Sequence, residues 1–141
     1  MGCPRFVMGL LNSTLAIKPH LASLHRYFLR ASRNRSLFLQ KLQLNQVDHL
    51  HTRVHLDLWY ACLFVVVEGF RKEKIHDQAV TALLRDKKKL ALLRGHRNAV
   101  LHYSSEYTDQ RELQLFEDAD FVGWIGALHD AISEFFLRPE D

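Results

Sequence analysis

The fold class is decided by residues 47–70, which read VDHLHTRVHLDLWYACLFVVVEGF. Apolar side chains recur there every three or four residues, the spacing that places them on one face of an α-helix. Towards Val67 the segment becomes apolar on nearly all sides, which is typical of a helix buried at the centre of a domain. Gly69 and the charged residues that follow it mark the C-terminal end of this helix. We therefore expect a central helix over residues 47–70.

Helical periodicity also dominates the segments on both sides of this central helix. No alternating strand pattern is present, and short connections favour packing of neighbouring helices. The sequence thus predicts a single all-α domain over residues 1–141, an antiparallel bundle of four to five helices. Its further elements are expected at 20–44 with a polar break at Ser32–Ser36, at 77–85, at 87–103 with Leu90, Leu93, Val100 and Leu101 inward, at 109–117, and at 118–137. The last helix would bury Phe121, Trp124, Ile125, Leu128, Ile132, Phe135 and Phe136.

Composition places the chain among soluble globular proteins. Of 141 residues, 48% are hydrophobic, which is enough for a core, and the two cysteines are too few for a disulfide scaffold. The longest uncharged apolar run, from Leu58 to Val67, is shorter than the roughly 20 residues that span a bilayer. No export signal is recognisable. We expect a cytoplasmic protein with no membrane association, in which Cys62 is a buried free thiol.

Charge is distributed unevenly along the chain. Residues 1–103 hold 17 of the 19 lysines and arginines, but residues 104–141 hold ten of the 16 acidic residues. One interpretation is a cationic surface for a polyanion such as RNA. The other is intramolecular, with the acidic last segment packed against the basic helices. Charge alone leaves both open.

The segment with the clearest chemical signature is Arg97-Asn98-Ala99-Val100-Leu101-His102. It resembles the signature of the HEPN family, in which an arginine and a polar residue are followed by a histidine after four to six residues. The resemblance is strongest over residues 45–137. It implies a helical bundle that commonly forms a homodimer, in which two copies of the motif meet and cut RNA without a metal. Other members lack activity and bind partners or nucleotides.

The spacing allows a specific chemistry for Arg97, Asn98 and His102. On a helix Asn98 and His102 share a face, and Arg97 lies five residues before His102, about 140° around the axis. His102 would act as general base or acid, because imidazole titrates near neutrality. Arg97 would hold the phosphate and stabilise its added charge. Asn98 would orient the imidazole or bind the phosphate.

Other residues are candidates for supporting roles. Glu68 lies in an apolar setting and either pairs with Arg97 or is an exposed carboxylate at a helix end. Tyr103 follows the motif and is a candidate for the tyrosine that some relatives carry nearby. The basic residues Lys87, Lys88, Lys89 and Arg94 either track an RNA backbone or form a solvated helix surface. No glycine-rich phosphate loop and no cysteine cluster is present, so we expect no cofactor and no metal.

Two functions follow from these expectations. The first is a metal-independent endoribonuclease of a toxin–antitoxin or defence system, acting as a homodimer on an RNA substrate and controlled by an antitoxin. The second is a non-catalytic dimeric module that binds a protein partner or a nucleotide.

Overall fold

The computed structural model describes residues 21–44, 49–107 and 109–138. All regular structure in these ranges is helical, which confirms the all-α class. Within these ranges lie six α-helices, against the four to five predicted for the bundle; the two short ones fall in the segments expected at 77–85 and 109–117. The six are α1 (Ala22–Gln43), α2 (His49–Lys72), α3 (Gln78–Leu83), α4 (Lys87–Leu101), α5 (Gln110–Gln114) and α6 (Phe121–Leu137), with a 3-10 turn at Leu115–Glu117.

Helix α2 is the central element that its apolar sequence predicts. Leu63, Val66 and Val67 are fully buried, because α1, α4 and α6 all contact this part of the helix. By length and composition α2 is the one described helix that could span a membrane, but half of the apolar window is buried inside the fold. That burial is typical of a core helix in a folded domain.

Contacts along α2 give the directions of its neighbours. On α4, Lys87 shares a cavity lining with Phe70, whereas His96 lies against Asp57, so α4 runs antiparallel to α2. On α6, Phe121 contacts Tyr60 and Phe135 contacts Phe70, so α6 runs parallel to α2. This arrangement places the last turns of α4, and with them the candidate motif, beside the stretch of α2 from Asp57 to Glu68.

The expected break within the first helix is wrong. Helix α1 continues without interruption through Ser32–Ser36, because three polar side chains of this run, Ser32, Asn34 and Arg35, have partners on other helices. Ser32 contacts His129 at 3.3 Å, and Arg35 forms an ion pair with Asp130 at 2.6 Å. Tertiary contacts therefore stabilise a segment whose composition favours a loop.

The acidic C-terminal segment packs against the basic body of the chain. Besides Arg35–Asp130, ion pairs join Lys88 to Asp118 at 3.7 Å and Arg53 to Glu112 at 3.8 Å. These contacts support the intramolecular interpretation of the uneven charge. In most of these ion pairs at least one of the two side chains is exposed to solvent, so each pair contributes little to stability.

The inward face of α6 follows its predicted apolar stripe. Six of the seven predicted residues are buried, and Phe135 is partly buried. In α4 the prediction holds for Leu90 and Leu93, whereas Val100 is only partly buried. It is wrong for Leu101, which is 54% exposed because α4 ends at this residue.

Candidate functional site

Helix α4 carries the motif and is defined by caps at both ends. Asp86 caps the start, where its carboxylate accepts a hydrogen bond from the Lys89 backbone N–H at 3.1 Å. Hydrogen bonds from the Lys89 side chain and backbone hold the pKa of Asp86 below its ordinary value. At the other end His102 is extended, and its N–H donates to the Asn98 carbonyl at 3.1 Å. The helix therefore ends directly before the motif histidine, two residues earlier than the predicted end at 103, so that His102 does not share a helical face with Asn98.

Arg97 is held by three neighbours. Its Nη1 and Nη2 donate to the two carboxylate oxygens of Glu68 at 3.0 and 3.1 Å, a bidentate ion pair between α4 and α2. Its Nε donates to Asn98 Oδ1 at 2.8 Å, and its guanidinium lies over the ring of Phe64, 4.9 Å from the centroid. Only 20% of the Arg97 side chain is exposed. The guanidinium is thus fixed in one orientation before any ligand arrives.

Glu68 combines both of the alternatives that its sequence context leaves open. Its side chain is 46% exposed, as expected near a helix end, and it pairs with Arg97. Because the pair is accessible to solvent, its oriented geometry is more important here than its contribution to stability. An anion approaching Arg97 would have to share the guanidinium with this carboxylate.

His102 and Tyr103 project into solvent beyond the end of α4. Both residues are exposed, Tyr103 to 95%. Within the described ranges, neither side chain makes a hydrogen bond or ion pair, and all polar contacts of the Arg97 side chain are with Glu68 and Asn98. The structure therefore brings together Arg97, Asn98 and Glu68, whereas within the described part of one chain the side chains of His102 and Tyr103 make no polar contact with them.

The four basic candidates do not form one continuous track. Lys89 is paired with Asp86 at 2.9 Å, and Lys88 lies 3.7 Å from Asp118. Lys87 lines a separate cavity at the start of α4, and Arg94 is exposed on a later turn. Half of the predicted positive charge is therefore compensated within the chain, and RNA binding by these residues stays a prediction.

His96 is a polar residue of the motif segment to which sequence reasoning assigned no role. It is completely buried, with Nε2 3.0 Å from Asp57 Oδ1 and its ring edge-on to Tyr60 at 5.5 Å. The approach to Asp57 lies outside hydrogen-bonding geometry, and Nδ1 has no partner among the described residues. Burial, with Asp57 nearby, raises the pKa of Tyr60 to about 12. His96 anchors the buried face of α4, and so directs the next residue, Arg97, towards Glu68.

A second buried histidine lies on α6. His129 Nδ1 accepts a hydrogen bond from Trp59 Nε1 at 3.0 Å, and Nε2 lies 3.3 Å from Ser32 Oγ. The pKa of His129 is lowered to about 4, mainly by burial and to a smaller extent by the nearby charge of Arg35. Its spacing in the apolar stripe of α6 was the sequence signal for burial. Nothing in the sequence around His129 indicates its partners, Ser32 on α1 and Trp59 on α2.

Comparison with known proteins returns no relative. The chain matches no family model, no curated protein and no solved structure. The resemblance to HEPN proteins therefore rests on the motif residues and stays a prediction.

Proposed function

We propose that this chain is a HEPN-like, metal-independent endoribonuclease that acts as a cytoplasmic homodimer in a toxin–antitoxin or defence system. The observation that carries the proposal is the fixed guanidinium of Arg97, which is held by Glu68, Asn98 and Phe64. Arg97 lies on α4, and the exposed His102 directly follows the end of this helix. A phosphate-binding group with its orientation set in advance is a recurring device of phosphoryl-transfer sites.

The proposed reaction is an internal transesterification of RNA. The 2′-oxygen forms a bond to the adjacent phosphorus as the bond from phosphorus to the 5′-oxygen breaks. One histidine takes the proton of the 2′-hydroxyl, and a second gives a proton to the leaving 5′-oxygen. Arg97 stabilises the additional negative charge on the phosphate. The products are a 2′,3′-cyclic phosphate and a 5′-hydroxyl.

The position of His102 is the reason for proposing a dimer. One imidazole does not serve as base and acid in the same step, and a second copy would supply the other one. His102 is exposed and lies beyond the end of α4, where a neighbouring molecule can reach it. The bound antitoxin of such a system would cover this same surface.

A second candidate function is a non-catalytic module that binds a protein partner or a nucleotide. The observation that favours it is the bidentate pairing of Arg97, since Glu68 already occupies the guanidinium edge that a phosphate would use. In this case the Glu68–Arg97 pair has a structural role, joining α2 to α4, and does not act on a substrate.

The test is cleavage of a set of structured and unstructured RNAs by purified protein in EDTA. If the proposal holds, the wild type cuts, whereas His102→Ala and Arg97→Ala each lose at least about a hundredfold in rate, the usual scale for removing a general acid–base or an oxyanion-stabilising group. Arg26→Ala is the matched control, because Arg26 is exposed on α1 and makes no ion pair within the described ranges.

Two further readouts separate the two candidate functions. Sedimentation velocity shows whether the 16.5 kDa chain is a dimer, and end-group analysis shows whether the cut ends are 2′,3′-cyclic phosphates. If the protein is a folded dimer that leaves every RNA intact, the non-catalytic module replaces the nuclease as the proposed function. Cleavage that survives in His102→Ala would remove His102 from the mechanism.

A further inference from the structure

A cavity of about 470 Å³ lies where α2 ends and α4 begins, with α3 along its side. Its volume is within the range of small-molecule sites in proteins. It is distinct from the motif surface, because Lys87 at the cavity is the first residue of α4 and His102 follows the last. Fifteen residues of helix separate them by about 22 Å. The inference below is therefore independent of the proposed nuclease function.

The rim of this cavity is cationic. Arg71, Lys74, Arg85 and Lys87 line it together with His76, and no acidic residue is among its described lining. Within the described ranges, these four cations make no ion pair with the chain itself. Four positive charges around one concavity repel one another, and an anion that enters it would relieve that repulsion.

Three acidic residues that lie close in sequence to the rim are paired elsewhere. Glu68, three residues before Arg71, is held by Arg97. Asp77 caps α3 and accepts a hydrogen bond from Arg138 at 2.7 Å, and Asp86 caps α4 and pairs with Lys89. These three carboxylates are thereby diverted from the cavity. Glu73, between Arg71 and Lys74 in sequence, is exposed and is not among the residues that line the cavity.

Lys74 occupies a position that favours glycine. It has a φ of 52°, and α2 ends there with Lys74 N–H donating to Arg71 O and Ile75 N–H to Phe70 O. This pair of bonds is the helix-ending motif in which the left-handed residue is usually glycine. A lysine in this conformation carries strain that glycine would not, and it brings a fourth cation to the cavity rim.

The inner surface of the cavity is apolar. Phe70 is buried, and Ile75 and Leu84 are partly buried, so their side chains form the floor beneath the cations. Water competes less well for an anion at such a surface, which strengthens charged hydrogen bonds from the rim. Arginine recognises phosphate oxygens in pairs, and lysine supplies point charges beside them.

We propose that this cavity binds an oligophosphate group. Several adjacent phosphates match the number and crowding of the cations better than one phosphate does. Inorganic triphosphate and the phosphate chain of a nucleotide share this chemistry. They differ in whether a base is available to lie on the apolar floor.

The test is isothermal titration calorimetry of the full chain at 0.15 M salt, a concentration that screens exposed charges. The titrants are inorganic triphosphate, ATP and adenosine, each in EDTA. We expect one site for triphosphate and for ATP and none for adenosine. Arg85→Ala and Lys74→Gly should each weaken binding about tenfold, the scale of one charged hydrogen bond. Lys74→Gly removes the cation without a folding penalty, because glycine suits the local backbone.

The matched control is Lys72→Ala, which removes the same charge from an exposed residue outside the cavity lining. It should bind triphosphate like the wild type. ATP binding more tightly than triphosphate would identify a nucleotide as the ligand, and equal affinity would identify the phosphate chain alone. The proposal is overturned if neither oligophosphate binds, or if Lys72→Ala weakens binding as much as Arg85→Ala.

Discussion

Lowering the pH from 8 to 5 should destabilise this protein through His129. In the folded chain the Trp59 indole N–H donates to His129 Nδ1, so this nitrogen carries no proton and Nε2 carries one. The Nε2–H then faces Ser32 Oγ. A second proton would have to enter at Nδ1, where it would point at the donor N–H of Trp59. The imidazolium is also disfavoured by burial and by Arg35, and the pKa of His129 is lowered to about 4.

The magnitude follows from the difference between the folded and unfolded pKa values. Below pH 6.5 the unfolded chain takes up a proton on His129, but the folded chain does not until about pH 4. Stability is therefore complete above pH 6.5 and is lost as the pH falls between these values. Each pH unit in this window costs about 1.4 kcal/mol, so that His129 alone should remove about 2 kcal/mol at pH 5.

The assay is urea unfolding at pH 8, 7, 6 and 5, compared between the wild type and His129→Gln. Glutamine offers an oxygen to Trp59 and an amide N–H to Ser32 but does not titrate. The lowered pKa of His25, also caused by burial, changes stability in the same direction in both proteins and cancels in the comparison. The wild type should lose about 2 kcal/mol more than the variant between pH 8 and pH 5. Parallel pH profiles, or an NMR titration of folded His129 near pH 6.5, would refute this reasoning.

Three predictions concern the backbone. Gly69→Ala should lower the free energy of unfolding by about 1 kcal/mol, because the added Cβ would collide with the Leu24 side chain of α1 and this cost exceeds the gain in helix propensity. Gly123→Ala, whose Cβ would meet nothing within 4 Å, should instead raise it by roughly 0.5–1 kcal/mol, so a loss at both positions would contradict the packing argument. Lys74→Gly should raise the free energy of unfolding by up to about 1 kcal/mol, because the φ of Lys74 is 52°, a backbone conformation that glycine adopts more easily. Denaturant unfolding of all three variants checks these values.

Much of the fold was predictable because helical periodicity is local information. The apolar stripe of α6 indicates which residues face the core, and the predicted ends of α2 and α4 lie within two residues of the observed ones. Asp77 and Asp86, directly before α3 and α4, are caps whose side chains accept the first backbone N–H groups. These features depend on neighbours within about four residues.

The errors have one physical cause. Ser32–Ser36 is polar enough to suggest a break, and contacts with residues far away in sequence, His55 on α2 and His129 and Asp130 on α6, explain its helical state. Leu101 continues the apolar spacing of α4, but the helix ends there and leaves it exposed. In both cases a local pattern was outweighed by the position of the segment in the tertiary structure.

The candidate site divides in the same way. By itself the sequence determined the all-helical class, the helix carrying the motif and the end of that helix to within two residues, because hydrogen bonds and side-chain spacing along one chain segment specify them. Only the tertiary structure decided that Arg97 is bound by Glu68, 29 residues away, and that four cations surround one cavity. Such pairings depend on how whole helices are oriented, and helix orientation is set by the packing of buried side chains from several elements at once.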